Sequence, residues 1–209
     1  LAPLREPPAA PQVATHNFRF SEDYDLYPSG AKTKYKNNVM AIKLLKQIEL
    51  EKRTATPEEQ IILARYVGWG GLANAFSSTA SGWENEYQEL KSLLTDVEYK
   101  AAMNSTITAY YTEPDLIRHI YRALERFGFE GGPDRKILDP GMGTGNFYSV
   151  LPEQFQGSKL FGVELDSITG RIAKQLYPDA DISIMGYEAT KFEDNSFDVI
   201  LGNIPFNSV

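Results

Sequence analysis

Apolar residues recur at helical spacing through the first half of the chain. Ala41, Leu44, Leu45 and Ile48 fall at i, i+3, i+4 and i+7, on one face, and predict a helix from Asn37 to about Arg53. Thr56-Pro57-Glu58-Glu59 predicts the next start, with an N-cap, a proline at the first helical position and a carboxylate at the capping-box position. Leu63, Tyr66 and Val67 give that helix a buried stripe, and Gly68-Trp69-Gly70-Gly71 stops it. A helix from about Glu84 to Leu94 follows, and Thr95 with Glu98 starts another. Nothing before residue 105 reads as a strand.

The rhythm then changes. Thr112 is expected to cap a helix opened by Glu113-Pro114-Asp115, with Ile117, Ile120, Tyr121 and Leu124 on one face and Gly128 just past the end. Short apolar strands are predicted at Lys136–Leu138, Leu160–Val163, Asp181–Met185 and Phe197–Leu201, with a glycine-rich turn and helix after the first and a helix over Ser167–Leu176 after the second. Strands and helices alternating in this way predict a parallel, doubly wound α/β sheet. Its ligand belongs at the carboxyl ends of the strands.

Composition narrows the chemistry. The 209 residues are 42% hydrophobic and 23% charged, enough for a real core. No apolar run approaches the roughly 18 residues of a membrane span, and no signal-peptide pattern opens the chain, so no membrane partner is expected and a cytoplasmic location is. Leu1–Ala14 is rich in Pro and Ala and reads as a linker, which suggests a chain cut from a longer polypeptide. The expected division is a linker over 1–15, a helical region over 16–105 and an α/β core over 106–209. There is no cysteine, which excludes disulfides, thiolate zinc and carbon methylation of cytosine through a cysteine adduct. With only His16 and His119, a histidine-rich metal site is excluded as well, and no metal is expected.

The net charge is -7, opposite to that of a generic nucleic-acid binder. Residues 31–53 run the other way, with seven Lys/Arg against Glu49 and Glu51. Such a stripe can touch DNA, or can simply be a solvated helix face.

The strongest chemical signal is Asp139-Pro140-Gly141-Met142-Gly143-Thr144-Gly145-Asn146-Phe147, directly after the first α/β strand. Glycines at 141, 143 and 145 let the backbone turn sharply and approach a ligand, and the next helix presents N–H groups. Glu164 ends the second strand, 19 residues after Gly145, where a carboxylate accepts from ribose hydroxyls. Together these describe a nucleoside site. The spacing is not that of a dinucleotide fingerprint, and no Walker-type loop follows a strand. Taken alone, the turn could be a tight connection and Glu164 a surface acid.

The second signal, Gly202-Asn203-Ile204-Pro205-Phe206, follows the fourth strand. With it, the second half resembles the amino-group DNA methyltransferases that use S-adenosylmethionine, in particular the adenine-N6 class. The likeness rests on Tyr111-Thr112-Glu113-Pro114, Asp139 to Phe147, Glu164, and Asn203-Ile204-Pro205-Phe206, in the γ-like order with the Tyr-Thr segment first. The first half, with Asn17-Phe18-Arg19, the basic helix and Gly68-Trp69-Gly70-Gly71-Leu72, resembles the helical front of large methylase–helicase polypeptides of phages and conjugative elements.

The resemblance implies a Rossmann-like methyltransferase sheet, normally of seven strands, of which four are counted here, preceded by an all-helical region. It implies S-adenosylmethionine as cofactor, held by Tyr111, Thr112, Asp139, Pro140, Gly141, Gly143, Gly145, Asn146, Phe147, Glu164, Leu165 and Glu188. It implies catalysis by Asn203, Ile204, Pro205 and Phe206. The Asn203 side-chain oxygen and the Ile204 carbonyl suit a planar –NH₂, accepting its hydrogens so that the lone pair turns towards the methyl group, and Phe206 can stack on a flipped base. Ile204 stands where the resembled motif usually has proline, which leaves its carbonyl less constrained. Several of these positions have plain structural readings: Thr112 as a cap, Asp166 as a helix-start acid, Tyr187 and Glu188 as loop surface, Trp69 and Trp83 as packing residues, His119 as exposed. The partners implied are duplex DNA, the remainder of a parent polypeptide with a possible helicase, and a second copy pairing at the open sheet edge. A non-catalytic DNA-binding or anti-restriction module, and a methyltransferase acting on RNA adenine or protein glutamine, are the alternatives.

Overall fold

The computed structural model describes residues 16–27, 29–107 and 111–203. The expected linker over 1–15 and the residues Ile204, Pro205 and Phe206 lie outside the described residues.

The helical region holds α1 (Ala31–Leu50), α2 (Pro57–Ala64), α3 (Glu84–Leu93) and α4 (Asp96–Asn104), with short 3-10 turns at Glu22–Tyr24, Ala73–Phe76 and Ser105–Ile107. Both capping boxes form. Thr56 accepts from the Glu59 amide while Glu59 accepts from the Thr56 amide, and Thr95 and Glu98 do the same. Each such cap contributes on the order of 1 kcal/mol. The first helix begins six residues earlier than its apolar spacing predicts, because Tyr35 is buried and anchors that extra stretch: its hydroxyl donates to Glu86 O at 3.0 Å and Glu89 Oε2 at 2.9 Å. It ends at Leu50, just before Lys52 turns left-handed at φ 53. The second helix is shorter than expected. It stops at Ala64, so Tyr66 and Val67 lie beyond it.

The core of this region is aromatic. Trp69 sits edge-on to Tyr35, Tyr66 and Phe76, and Phe76 to Tyr99. Trp69 and Trp83 are both buried, as packing residues should be. Buried Asn38 fixes the corner after α2: its amide donates to Gly68 O at 2.5 Å and its oxygen accepts from Val67 N at 2.9 Å. The basic stripe is largely compensated. Lys32, Lys43, Lys46 and Arg53 pair with Glu86, Glu89, Glu98 and Glu59.

The second region comprises α5 (Pro114–Arg126), β1 (Lys136–Asp139), α6 (Asn146–Ser149), β2 (Lys159–Glu164), α7 (Ser167–Leu176), β3 (Asp181–Ile184) and β4 (Val199–Ile200). The fold is α/β, and all strand pairs are parallel in the order β3-β2-β1-β4. The chain runs outward from β1 to β3, then returns to the other side of β1 for β4. That reversal creates a crevice at the carboxyl ends of the strands. β4 lies at one edge and is shorter than its apolar run suggests. Two further expectations are corrected. Glu113, not Thr112, is the N-cap position of α5, and no side chain caps it. The helix after the glycine turn, α6, is only four residues long. Leu151-Pro152 follows it closely, and proline disfavours helical angles in the residue before it.

The two regions are joined through α7. Phe18 N donates to Leu176 O at 2.7 Å, Ala55 N to Gln175 Oε1 at 2.9 Å, and buried Gln60 reaches Gln175 O at 2.9 Å. Arg171 on α7 pairs with Glu49 on α1 and Glu98 on α4.

Candidate functional site

The glycine turn owes its shape to two residues with left-handed backbone. Gly143 has φ +56, and a Cβ there would stand 3.0 Å from the Tyr111 ring, which packs close against the turn. Gly145 has φ +88, and a Cβ there would collide with the buried Tyr177 ring, whose hydroxyl donates to Gly145 O at 2.7 Å. Only glycine satisfies both demands at these positions. Met142 N donates to Val163 O at 3.0 Å, which ties the turn to β2.

Glu164 closes the arrangement from the end of β2. Its Oε2 accepts from Gly143 N at 2.9 Å and its Oε1 from Asp166 N at 2.7 Å. A carboxylate has about four acceptor sites, so lone pairs remain for a ligand. Glu164 thus shapes the glycine turn as well as facing the crevice, a structural role its sequence position did not disclose. Burial pushes its pKa up to about 7, partly offset by the Asp166 amide, and the Asp166 charge adds to the rise. Asp139, 1% exposed at the end of β1, is also pushed up to about 7 by burial, with the Gly141 amide at 3.1 Å opposing the shift. Asp139 stands against Gly202, next to Asn203 after β4.

These groups line a cavity of about 680 Å³. Of the residues proposed from the sequence, it brings together Tyr111, Thr112, Asp139, Gly141, Gly143, Asn146, Phe147, Glu164, Leu165 and Asn203. Thr112 contributes its backbone: Asn146 Nδ2 donates to Thr112 O at 3.3 Å. Pro140 and Gly145 are not among the lining residues; Gly145 acts behind the wall, through Tyr177. Glu188 is exposed in a 3-10 turn, Tyr187–Ala189, and does not line the cavity. Asp166 caps α7 by accepting from Thr169 N at 2.8 Å, as its helix-start reading expects, and lines the cavity as well. His119 is exposed, its ring Nδ1 2.7 Å from Asp115 O.

Sequence reasoning missed a whole wall. Tyr66, Gly68, Ala101, Asn104, Ser105 and Ile107, all from the helical region, also line the cavity. The one available signal was the Gly68-Trp69-Gly70-Gly71 break, since a glycine-rich corner permits a close approach. Tyr66 is 2% exposed, and its hydroxyl lies beside Thr169, as does that of Tyr111. Burial pushes both phenols above their ordinary pKa, so both remain donors. Among the described lining residues there are three carboxylates, Asp139, Glu164 and Asp166, and no Lys, Arg or His. Among the described residues no cluster of His, Asp and Glu could hold a metal ion, and no helix is long and apolar enough to cross a membrane.

The family model described as a methyltransferase domain matches residues 138–207, from the end of β1 through the segment after β4. The match falls on the α/β region, so that part of the chain is similar to a methyltransferase domain. Over 171 residues the chain is 27% identical to "Defense against restriction protein B" of Escherichia phage P1, covering 81% of this chain and 6% of that protein. Over 78 residues it is 32% identical to "Modification methylase CviBIII" of Paramecium bursaria Chlorella virus NC1A, covering 37% of this chain and 21% of that one. The chain thus spans a small part of each relative. Among solved structures, a TehB-like SAM-dependent methyltransferase from Corynebacterium glutamicum is 25% identical, with a TM-score of 0.30, covering 43% of this chain and 54% of that one.

Proposed function

We propose that this chain binds S-adenosylmethionine in the cavity and serves as the cofactor-binding part of an enzyme that methylates adenine N6 in DNA. One observation carries the cofactor assignment. A buried carboxylate, Glu164, is joined to a glycine turn inside a cavity whose described lining has three carboxylates and no cation. Such a field repels the phosphates of a dinucleotide or a nucleoside triphosphate and attracts a sulfonium. The donor set suits an adenosyl group, because Glu164 keeps lone pairs for ribose hydroxyls and Gly141 and Gly143 offer bare backbone.

When bound, the cofactor supplies a methyl group made electrophilic by the positive sulfur. The chain's own part is positioning. Glu164 would hold the ribose, and Leu165, 75% exposed at the cavity mouth, offers an apolar surface to a purine. The Asn203 side-chain oxygen would accept a hydrogen from the target amine, which localises the nitrogen lone pair for attack. In this reading the Ile204 carbonyl would accept the second hydrogen and Phe206 would stack on the flipped base, with Pro205 between them. The amine proton leaves to solvent after transfer.

The partners in this reading are duplex DNA, the remainder of a longer polypeptide that can include a helicase, and a second strand or second copy at the β4 edge. Support for a DNA substrate comes from the viral modification methylase, and the phage relative's name favours a second reading, an anti-restriction role with or without turnover. Titration calorimetry with S-adenosylmethionine tests the cofactor step, with saturable binding expected for the native chain and a large loss for Glu164→Ala. Transfer of labelled methyl groups by the longer polypeptide to duplex DNA, RNA or protein then tests the acceptor. Label on RNA or protein alone would remove the DNA assignment, and cofactor binding without any transfer would favour the anti-restriction reading.

A further inference from the structure

The geometry points to Asn104, at the end of α4 in the helical region, as the residue that receives the carboxylate of the cofactor's amino-acid end, an inference that rests on the cofactor reading above. The argument is electrostatic. S-adenosylmethionine has one anionic group, its carboxylate. The sheet side of the cavity carries Asp139, Glu164 and Asp166, which repel it. With no Lys, Arg or His among the described lining residues, a carboxylate has to be met by neutral donors. Among the described residues the helical wall carries no charged side chain: its lining residues are Tyr66, Gly68, Ala101, Asn104, Ser105 and Ile107.

Within that wall, Asn104 has the free donor. Its side chain is exposed and makes no hydrogen bond among the described residues. Ser105 already donates to Ala102 O at 2.8 Å, so its oxygen is left as an acceptor, suited to the ligand's ammonium. The Tyr66 hydroxyl is turned towards Thr169, which in turn donates to Asp166 at 2.7 Å. The cofactor is accordingly shared between the two regions, its ribose on the sheet and its amino-acid end on the helices.

The test compares three probes by calorimetry: S-adenosylmethionine, S-adenosylhomocysteine and methylthioadenosine, the last lacking the amino-acid end. Asn104→Ala is expected to weaken the first two about tenfold and to leave methylthioadenosine unchanged, in keeping with loss of one hydrogen bond to a charged group. Asn104→Asp, which places a like charge against the carboxylate, is expected to deepen the loss for the same two ligands only. Thermal melting of each unliganded variant at the native temperature confirms that the fold is intact. The inference is overturned if both variants bind all three probes as the native chain does, or if methylthioadenosine weakens in parallel. Glu164→Gln separates this inference from its parent, because loss of the ribose contact should weaken all three probes alike. If Glu164→Gln changes none of them, or the native chain binds none, the cofactor reading itself falls and takes this one with it.

Discussion

The carboxylates at the ends of β1 and β2 are treated in the opposite way to those of the helical region. In the helical region Glu59, Glu86 and Glu89 each lie in hydrogen-bond range of Arg53, Lys32 and Lys43, and those cations hold them below the ordinary carboxylate range. Glu98 is lowered to about 2; its partial burial opposes the shift, and the Thr95 amide, Lys46 and Arg171 outweigh it. In the α/β region Asp139 and Glu164 have only backbone N–H partners in the hydrogen-bond network, and burial raises both to about 7. A carboxylate that merely supports a fold is ordinarily exposed or paired, because burying an unpaired charge is costly. Two buried at the strand ends without a cationic partner make this crevice the candidate site.

The sharpest way to break this contrast is at the glycine turn. Gly145→Ala forces a side chain into the Tyr177 ring at φ +88, and the expected loss is about 3 kcal/mol or more, read from the urea midpoint. On the helical side Leu45→Ala should cost about 2–5 kcal/mol, since Leu45 is fully buried. Because α7 ties the regions together, each variant should still unfold in a single transition. Two separated transitions would show that the regions are independent.

The pH dependence sharpens the comparison. Asp139 and Glu164 hold their protons when folded up to about pH 7 and lose them near pH 4 when unfolded. The folded state therefore binds more protons between those values, and stability from these two groups falls as pH rises through that window. A cationic ligand prefers the ionised forms, so affinity for S-adenosylmethionine should rise between pH 6 and pH 8, by up to about tenfold for each unit the ligand lowers a site pKa. Calorimetry at several pH values checks this, and a flat profile would remove the carboxylates from binding. Glu98 has the reverse sign. Its contribution is present above the ordinary glutamate pKa and disappears as pH falls towards about 2. Arg171→Ala, which removes one of its partners and a bridge between the regions, should cost about 1–3 kcal/mol at neutral pH and less under acid. The smallest effect is expected for Thr95→Ala, about 1 kcal/mol through one lost cap, read by thermal melting.

Much of the fold was legible because its signals are local. The capping residues Thr56 and Thr95, the left-handed Gly143 and Gly145, and the span Ser167–Leu176 follow from sterics and hydrogen bonds among residues close in sequence. The same holds for the core of the candidate site, since Asp139, the glycine turn and Glu164 sit at the ends of adjacent parallel strands, and that adjacency follows from the alternation of elements. Other features depend on groups far apart in the chain. Nothing near Thr112 indicates that Asn146 will take its carbonyl, and nothing near Lys43 indicates that Glu89 will neutralise it. The raised carboxylates and the uncharged wall of Tyr66, Asn104 and Ser105 arise only when the helical region closes over the strand ends. Solvent exclusion and charge balance are properties of the assembled walls, so the sequence by itself determined the elements and the turn, and the tertiary structure decided the electrostatics of the cavity between them.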